Sequence, residues 1–188
     1  MKSVFLFLTV AILATVSEAV NVKDFGAVGD GVHDDTLAIQ KAADSLYARA
    51  PGSVFGEGKW EAKKDMWCLR DRYMTGSWDG PNGELFFPKG VYRVSGPVML
   101  YWSVNLRGEE GAVVRNERPD RDCFYFDHAF RSSVEGLTVE GGRRQLVFWT
   151  NNRSDSTLLV SRCAFRGASD VAFVSCCRRL KTDPVVDS

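Results

Sequence analysis

The chain has 188 residues, 24 basic and 24 acidic side chains and a formal net charge of zero. That length suits one folded domain able to bury a core. Neutrality removes the electrostatic case for nucleic acid or an anionic membrane as partner. It leaves an acidic polysaccharide open, through the local clusters Arg143-Arg144 and Arg178-Arg179-Leu180-Lys181, although such runs are ordinarily solvated loops.

The first predicted element is a targeting signal. Lys2, an apolar run from Val4 to Val16 and then Ser17-Glu18-Ala19 predict a signal peptide over 1–19. Small residues at Ser17 and Ala19 place the cut between Ala19 and Val20. The run falls short of the roughly 20 apolar residues a membrane span needs. A secreted or periplasmic protein is expected, with no membrane contact after cleavage. Export implies an oxidising compartment. The cysteines are Cys68, Cys123, Cys163, Cys176 and Cys177, an odd set, so at least one stays free or pairs outside the chain. With no Cys-X-X-Cys pair and only His33 and His128, no zinc site of the usual spacing is expected.

The segment Asn21-Val22-Lys23-Asp24-Phe25-Gly26-Ala27-Val28-Gly29-Asp30-Gly31 has glycines at turn spacing. No Gly-Lys-Ser/Thr follows, so it is not a phosphate loop. A helix is predicted from Asp35 to Ala50, with Ile39, Ala43, Leu46, Tyr47 and Ala50 on one face and Pro51-Gly52 as the stop. Asp34 or Asp35 would cap it by accepting a backbone N–H, so capping rather than acid–base chemistry explains the pair. Asp24, Asp30 and Asp34 could hold a cation near this turn, but turn and cap duty explains them too.

Residues 53–83 read as an irregular insertion containing Trp60, Trp67, Tyr73 and Trp78. Rings in a long loop can stack on sugars, which makes Trp60, Trp67 and Trp78 candidate substrate contacts. They can equally form a satellite core. From Leu85 onward short β-rich pieces follow one another: Leu85–Phe87, Val91–Val94, Val98–Leu100 and Val104–Leu106. No helical pattern separates them, so sandwich, barrel and solenoid compete. An internal repeat selects the solenoid. Val134–Gly141 lies over Val160–Gly167 at an offset of 26 residues, matching Val134 to Val160, Leu137 to Cys163 and Val139 to Phe165. The same offset sets Leu146-Val147-Phe148 over Ala172-Phe173-Val174. Two short strands per unit and a period in the twenties imply units that bury their apolar faces only by stacking. Inward positions would be Val134, Leu137, Val139, Val160, Cys163 and Phe165. Cys163 is then a small buried hydrophobe. Asn152-Arg153-Ser154 is a glycosylation sequon, meaningful in a eukaryotic host.

With these segments in view, Asn21–Gly31 followed by Asp34-Asp35-Thr36-Leu37-Ala38-Ile39-Gln40 resembles the opening of the pectate-lyase superfamily domain. That domain begins many polygalacturonases, rhamnogalacturonases and related proteins. Phe87-Pro88-Lys89-Gly90-Val91-Tyr92-Arg93-Val94, then Leu106-Arg107-Gly108, is similar to the family's next landmark. The resemblance covers most of 20–173. It implies an all-β fold, a right-handed single-stranded parallel β-helix over 20–177, capped at its N-terminal end by the short α-helix.

It also implies a polysaccharide as partner, handled by a hydrolase, a lyase or a binder. Hydrolysis needs paired carboxylates. Polygalacturonases carry an Asp-Asp pair before a strand and a Gly-His-Gly on the next coil. Here Ser169-Asp170 occupies the comparable place and no Gly-His-Gly exists. Asp170 is thus the one weak catalytic candidate, and an ordinary turn aspartate otherwise. A lyase would need a Lys or Arg base, with Arg162 and Arg166 facing outward, and commonly Ca²⁺. Glu135 and Glu140 would point to opposite faces of a straight strand, so no cofactor is evident and Ca²⁺ lacks support. Residues 178–188 read as a polar tail. A solenoid ending after about three coils would expose its lower apolar layer. Either the tail folds back, a partner chain covers the end, or the frame is truncated before the catalytic coils. Three functions follow: a secreted polysaccharide-acting protein, a carbohydrate-binding or adhesion module using the tryptophans, and an inactive fragment.

Overall fold

The computed structural model describes residues 19–48, 83–101, 103–127, 131–149 and 156–176, together with the backbone of four short strands between 54 and 75. The chain starts with β1 (Val20–Asn21), a 3₁₀ turn (Val22–Phe25), β2 (Asp30–Asp34) and α1 (Thr36–Ala48). Next come β3 (Val54–Phe55), β4 (Lys59–Lys63), β5 (Met66–Arg70) and β6 (Met74–Thr75). Four coils of three strands follow. They are β7 (Gly83–Phe87), β8 (Gly90–Val94) and β9 (Val98–Tyr101); β10 (Val104–Gly108), β11 (Ala112–Asn116) and β12 (Phe124–Asp127); β13 (Ser132–Glu135), β14 (Thr138–Gly141) and β15 (Arg144–Trp149); and β16 (Leu158–Ser161), β17 (Ala164–Arg166) and β18 (Val171–Cys176).

Each strand pairs in parallel with its counterpart one coil away. This builds three sheets, in the orders β1-β7-β10-β13-β16, β2-β8-β11-β14-β17 and β9-β12-β15-β18. The result is the expected right-handed single-stranded parallel β-helix with a helical N-terminal cap. The unit differs from the expected one: it has three strands, not two. The turns on either side of the third strand differ in length from coil to coil, so alternation marked its residues without assigning them to a third sheet.

The offset of 26 residues holds on two sheets, with Val134 beside Val160 and Val139 beside Phe165. On the third it fails by one. Leu146 lies beside Phe173, and Arg144 beside Val171. From Gly167 to Val171 the chain runs one residue longer than from Gly141 to Arg144. A one-residue slip exchanges inward and outward side chains, so Phe173 rather than Ala172 takes the core position.

Inward residues stack in columns. One runs Val20, Leu85, Leu106, Val134, Val160; another Tyr92, Val114, Val139, Phe165; a third Val98, Phe124, Leu146, Phe173. The members in the upper coils are buried. Phe87 sits edge-on to Tyr92 and Phe124 at centroid separations of 5.5 and 6.2 Å, a geometry worth about 0.5–1.5 kcal/mol per pair beyond area burial. In the last described coil the columns open to solvent: Val160 is 39% and Phe173 43% exposed, and Cys163 and Phe165 are only half-buried. Cys163 is therefore less enclosed than expected. Val134, Leu137 and Val139 are fully inside.

The other end is closed. α1 lays Ile39, Ala42, Ala43 and Leu46 on the core. β1 and β2 pair with the first full coil in two sheets, which leaves β9 as the edge of the third. Gln40, nearly fully buried, covers that edge. Its Nε2 donates to the Met99 carbonyl at 3.0 Å and its Oε1 accepts from the Met99 N–H at 2.8 Å. The side-chain amide thus replaces one residue of a missing strand, satisfying an edge that would otherwise pair elsewhere.

The two aspartates before α1 divide their duties. Asp34 accepts the Thr36 N–H (3.0 Å) and hydroxyl (2.5 Å). Asp35, buried, instead accepts the N–H groups of Val28 and Gly29 at 2.7 and 3.1 Å and so ties the opening turn to the helix. Tyr73 and Pro51-Gly52, like residues 1–18, lie outside the described residues. The insertion is not irregular throughout: β3 pairs antiparallel with β6, and β4 with β5.

Asp35→Ala strips the acceptor from two N–H groups and should lower stability by about 2 kcal/mol or more in urea unfolding. Asp34→Ala, which loses a cap, should cost about 1 kcal/mol. Partial burial raises the Asp34 carboxyl pKa, but hydrogen bonds from Ser95 and Thr36 and the charge of Arg93 outweigh it and hold it below 3.8. A depressed folded-state value contributes stability above the unfolded value of about 4 and loses it as pH falls through the folded one. The acid limb of the stability curve should be shallower in Asp34→Asn.

Candidate functional site

The outer face of the second sheet carries a column of charges. Register sets Asp34, Arg93, Arg115, Glu140 and Arg166 side by side across successive coils. Arg115 Nε meets Glu140 at 3.0 Å, and Arg166 approaches the other Glu140 oxygen at 3.7 Å. Glu140 is thus shared between two arginines. On the first sheet, Arg107 bonds Glu84 at 2.7 Å and lies 4.2 Å above the Phe86 ring. Exposed pairs like these contribute little stability.

Two shallow depressions border the second sheet. One of ≈ 450 Å³ follows the turns joining the first sheet to the second, lined by Gly108, Glu110, Gly111, Gly136, Thr138 and Arg162. The other, ≈ 380 Å³, lies along the opposite margin, where Arg115, Glu140, Gly142 and Gly167 contribute. Glycine makes the first possible. The backbones of Gly108 and Gly136 stack so closely that a Cβ on Gly136 would stand 2.5 Å from the Gly108 carbonyl oxygen. Gly136 also takes φ +70°, where a side chain is strained.

Behind the second margin sits a buried ion cluster. Asp122 is fully enclosed and accepts from both Arg143 (3.2 Å) and Arg144 (2.7 Å). The basic dipeptide expected as a solvated loop is therefore an internal clamp: Arg144 is buried and Arg143 mostly so. Sequence gave no hint of Asp122, because its pairing depends on the turn after β11 folding back onto β15. Adjacent Cys123 is a free thiol, pushed up to about 12 by burial and by the Asp122 charge. Its burial and the raised value both disfavour the reactive thiolate.

Asp170, the catalytic candidate, lies in the longer turn before β18 and is exposed. Its N–H donates to the Arg143 carbonyl at 3.0 Å, while its carboxylate bonds no described residue. Ser169, in the place of a second aspartate, donates its hydroxyl to the Pro119 carbonyl at 2.5 Å. Glu135 and Glu140 do not lie on one straight strand. The turn at Gly136-Leu137 separates β13 from β14, and each glutamate meets arginine, Glu135 with Arg162 and Glu140 with Arg115 and Arg166. Asp30 accepts from the Val32 and His33 N–H groups and faces the His33 ring at 2.6 Å. Those two backbone bonds are the main cause that holds its carboxyl well below the usual range. Among the described residues no three His, Cys, Asp or Glu side chains converge on one point.

In the insertion, register sets Trp60 opposite Leu69 and Trp67 opposite Ala62. Trp78, His128, the sequon at Asn152 and the tail at 178–188 lie outside the described residues. Val20, at the expected cleavage point, opens β1 and is buried, beside Ala19. No described helix is long and apolar enough to cross a membrane.

Residues 19–118 match the model of the rhamnogalacturonase A/epimerase, pectate lyase-like family. The chain belongs to that family. It is 60% identical over 136 residues, 67% of its length, to mannuronan C5-epimerase AlgE3 of Azotobacter vinelandii, of which it spans 6%. It is 32% identical over 98 residues, 52% of its length, to plasmin and fibronectin-binding protein A of Streptococcus pneumoniae, of which it spans 10%. The solved A-module of mannuronan C-5 epimerase AlgE6, also from Azotobacter vinelandii, shares the fold. Its TM-score is 0.53 at 21% identity, over 82% of this chain and 40% of that one. The chain thus spans a small part of its curated relatives and under half of the solved module.

Asp122→Asn removes the buried carboxylate that both Arg143 and Arg144 bond. The expected loss is roughly 3 kcal/mol, read as a shift in the urea midpoint with unchanged slope.

Proposed function

We propose that this chain is an exported polyuronate-binding β-helix domain of the pectate lyase-like family. What supports the reading is kinship: family membership over 19–118 and 60% identity to an enzyme named for mannuronan. The signal-like residues 1–19 support export.

The coils described here supply binding rather than turnover. C5 epimerisation, elimination and hydrolysis each need a base and an acid placed about one sugar. Among the described residues, the carboxylates of the third and fourth coils either face arginine, as Glu135 and Glu140 do, or bond no described side chain, as with Asp170. Charges of both signs along the second sheet offer hydrogen-bond donors and acceptors to a hydroxylated, carboxylated chain. A second reading, a protein-binding adhesin, draws on the similarity to the plasmin and fibronectin-binding protein.

Affinity electrophoresis of the purified chain through gels holding polymannuronate, polygalacturonate or neutral dextran tests both. Retardation by the polyuronates alone is expected, with no reducing ends or unsaturated products released, and with Asp170→Asn unchanged. Passage through every polyuronate gel at the rate seen in dextran would overturn the reading, and capture by immobilised fibronectin would then favour the second.

A further inference from the structure

The first depression is built around an anomaly. Successive coils turn from the first sheet to the second through equivalent positions: Gly108, Gly136 and Arg162 follow one another from coil to coil. The turn demands a left-handed backbone in its last two copies, φ +70° at Gly136 and φ 54° at Arg162. Glycine meets this freely, whereas arginine must be held there against steric strain. Residues held in sparsely populated backbone conformations collect at ligand clamps.

Arg162 is also aimed. Its Nη2 donates to Glu135 of the preceding coil, which anchors the side chain along the wall of the ≈ 450 Å³ depression. A guanidinium has five N–H donors in a rigid fork, and Glu135 engages one nitrogen. The glycine floor leaves backbone open to close approach. The Thr138 hydroxyl and the Glu110 carboxylate complete the lining. That volume lies within the range of small-molecule sites.

We infer that this depression is a sugar-carboxylate subsite, in which Arg162 receives the carboxylate of one uronate unit and Thr138 and Glu110 take its ring hydroxyls. This rests on the polyuronate reading and deepens it by naming the residues. The fork geometry matches a carboxylate as a lysine would not. A neutral sugar offers the remaining guanidinium donors only hydroxyl acceptors, which bond more weakly than a carboxylate, so discrimination by charge is expected.

The test uses the whole chain and defined oligomers of mannuronate and galacturonate, with a cello-oligosaccharide as neutral control. Titration calorimetry and thermal melts are run on Arg162→Gly, Arg162→Lys, Thr138→Val and, as a control on the exposed face of α1, Lys41→Ala. Arg162→Gly should melt no lower than the parent, because glycine adopts the turn without strain, yet bind uronate oligomers about tenfold more weakly. Arg162→Lys should lose much of the same affinity, and Thr138→Val about fivefold. Lys41→Ala should stay within about twofold of the parent. Parental affinity in both Arg162→Gly and Thr138→Val sinks the subsite while leaving polyuronate binding intact. An equal loss in Lys41→Ala also overturns it, since the effect would then be diffuse charge. Failure of the parent to bind any uronate oligomer removes the functional reading and the subsite together.

Discussion

A coil of this β-helix can bury its apolar side only against the coil next to it. Backbone hydrogen bonds run between coils, and inward side chains stack in columns along the axis. Register between neighbours is therefore the constraint on which the rest depends. Once Leu106 lies beside Leu85 and Val134, the outward alternates are set too. The column Arg93, Arg115, Glu140, Arg166 is the solvent side of the strands whose inward side is Tyr92, Val114, Val139, Phe165.

Such a stack needs its ends handled. At the N-terminal end three devices share the work. Asp35 ties the opening turn to the helix, α1 spreads apolar residues over the core, and Gln40 occupies the hydrogen-bonding edge of the third sheet. The buried clamp of Asp122 with Arg143 and Arg144 does a comparable job at the side, holding the long turn after β11 against the next coil. Polar groups enclosed in this way are stabilising only as a complete set. They therefore specify one arrangement of the coils more than they add net stability.

The surface chemistry follows from the same stacking. Charges that are far apart in the chain become neighbours at one strand spacing, about 4.8 Å. The turns become a ridge whose glycines bring backbones into contact. Where the ridge substitutes arginine for glycine, a donor fork is placed over a depression that smaller residues keep open.

Several features were legible in the amino-acid sequence alone, and for local reasons. The glycine-rich opening, the helix after Asp34-Asp35 and the β-rich texture from Leu85 rest on φ preferences, capping and alternation, which act within a few residues. The 26-residue offset exposed the solenoid because each coil repeats its own inward pattern. What only the tertiary structure decided involves unequal turns. The grouping of strands into three sheets, the one-residue slip that sets Phe173 in the inward column, the burial of Arg143-Arg144 on Asp122 and the pairing of Glu140 with two arginines all depend on turn length. Turn length varies between coils, and one added residue reverses every side chain after it. A local pattern cannot register that; the stacked coils can.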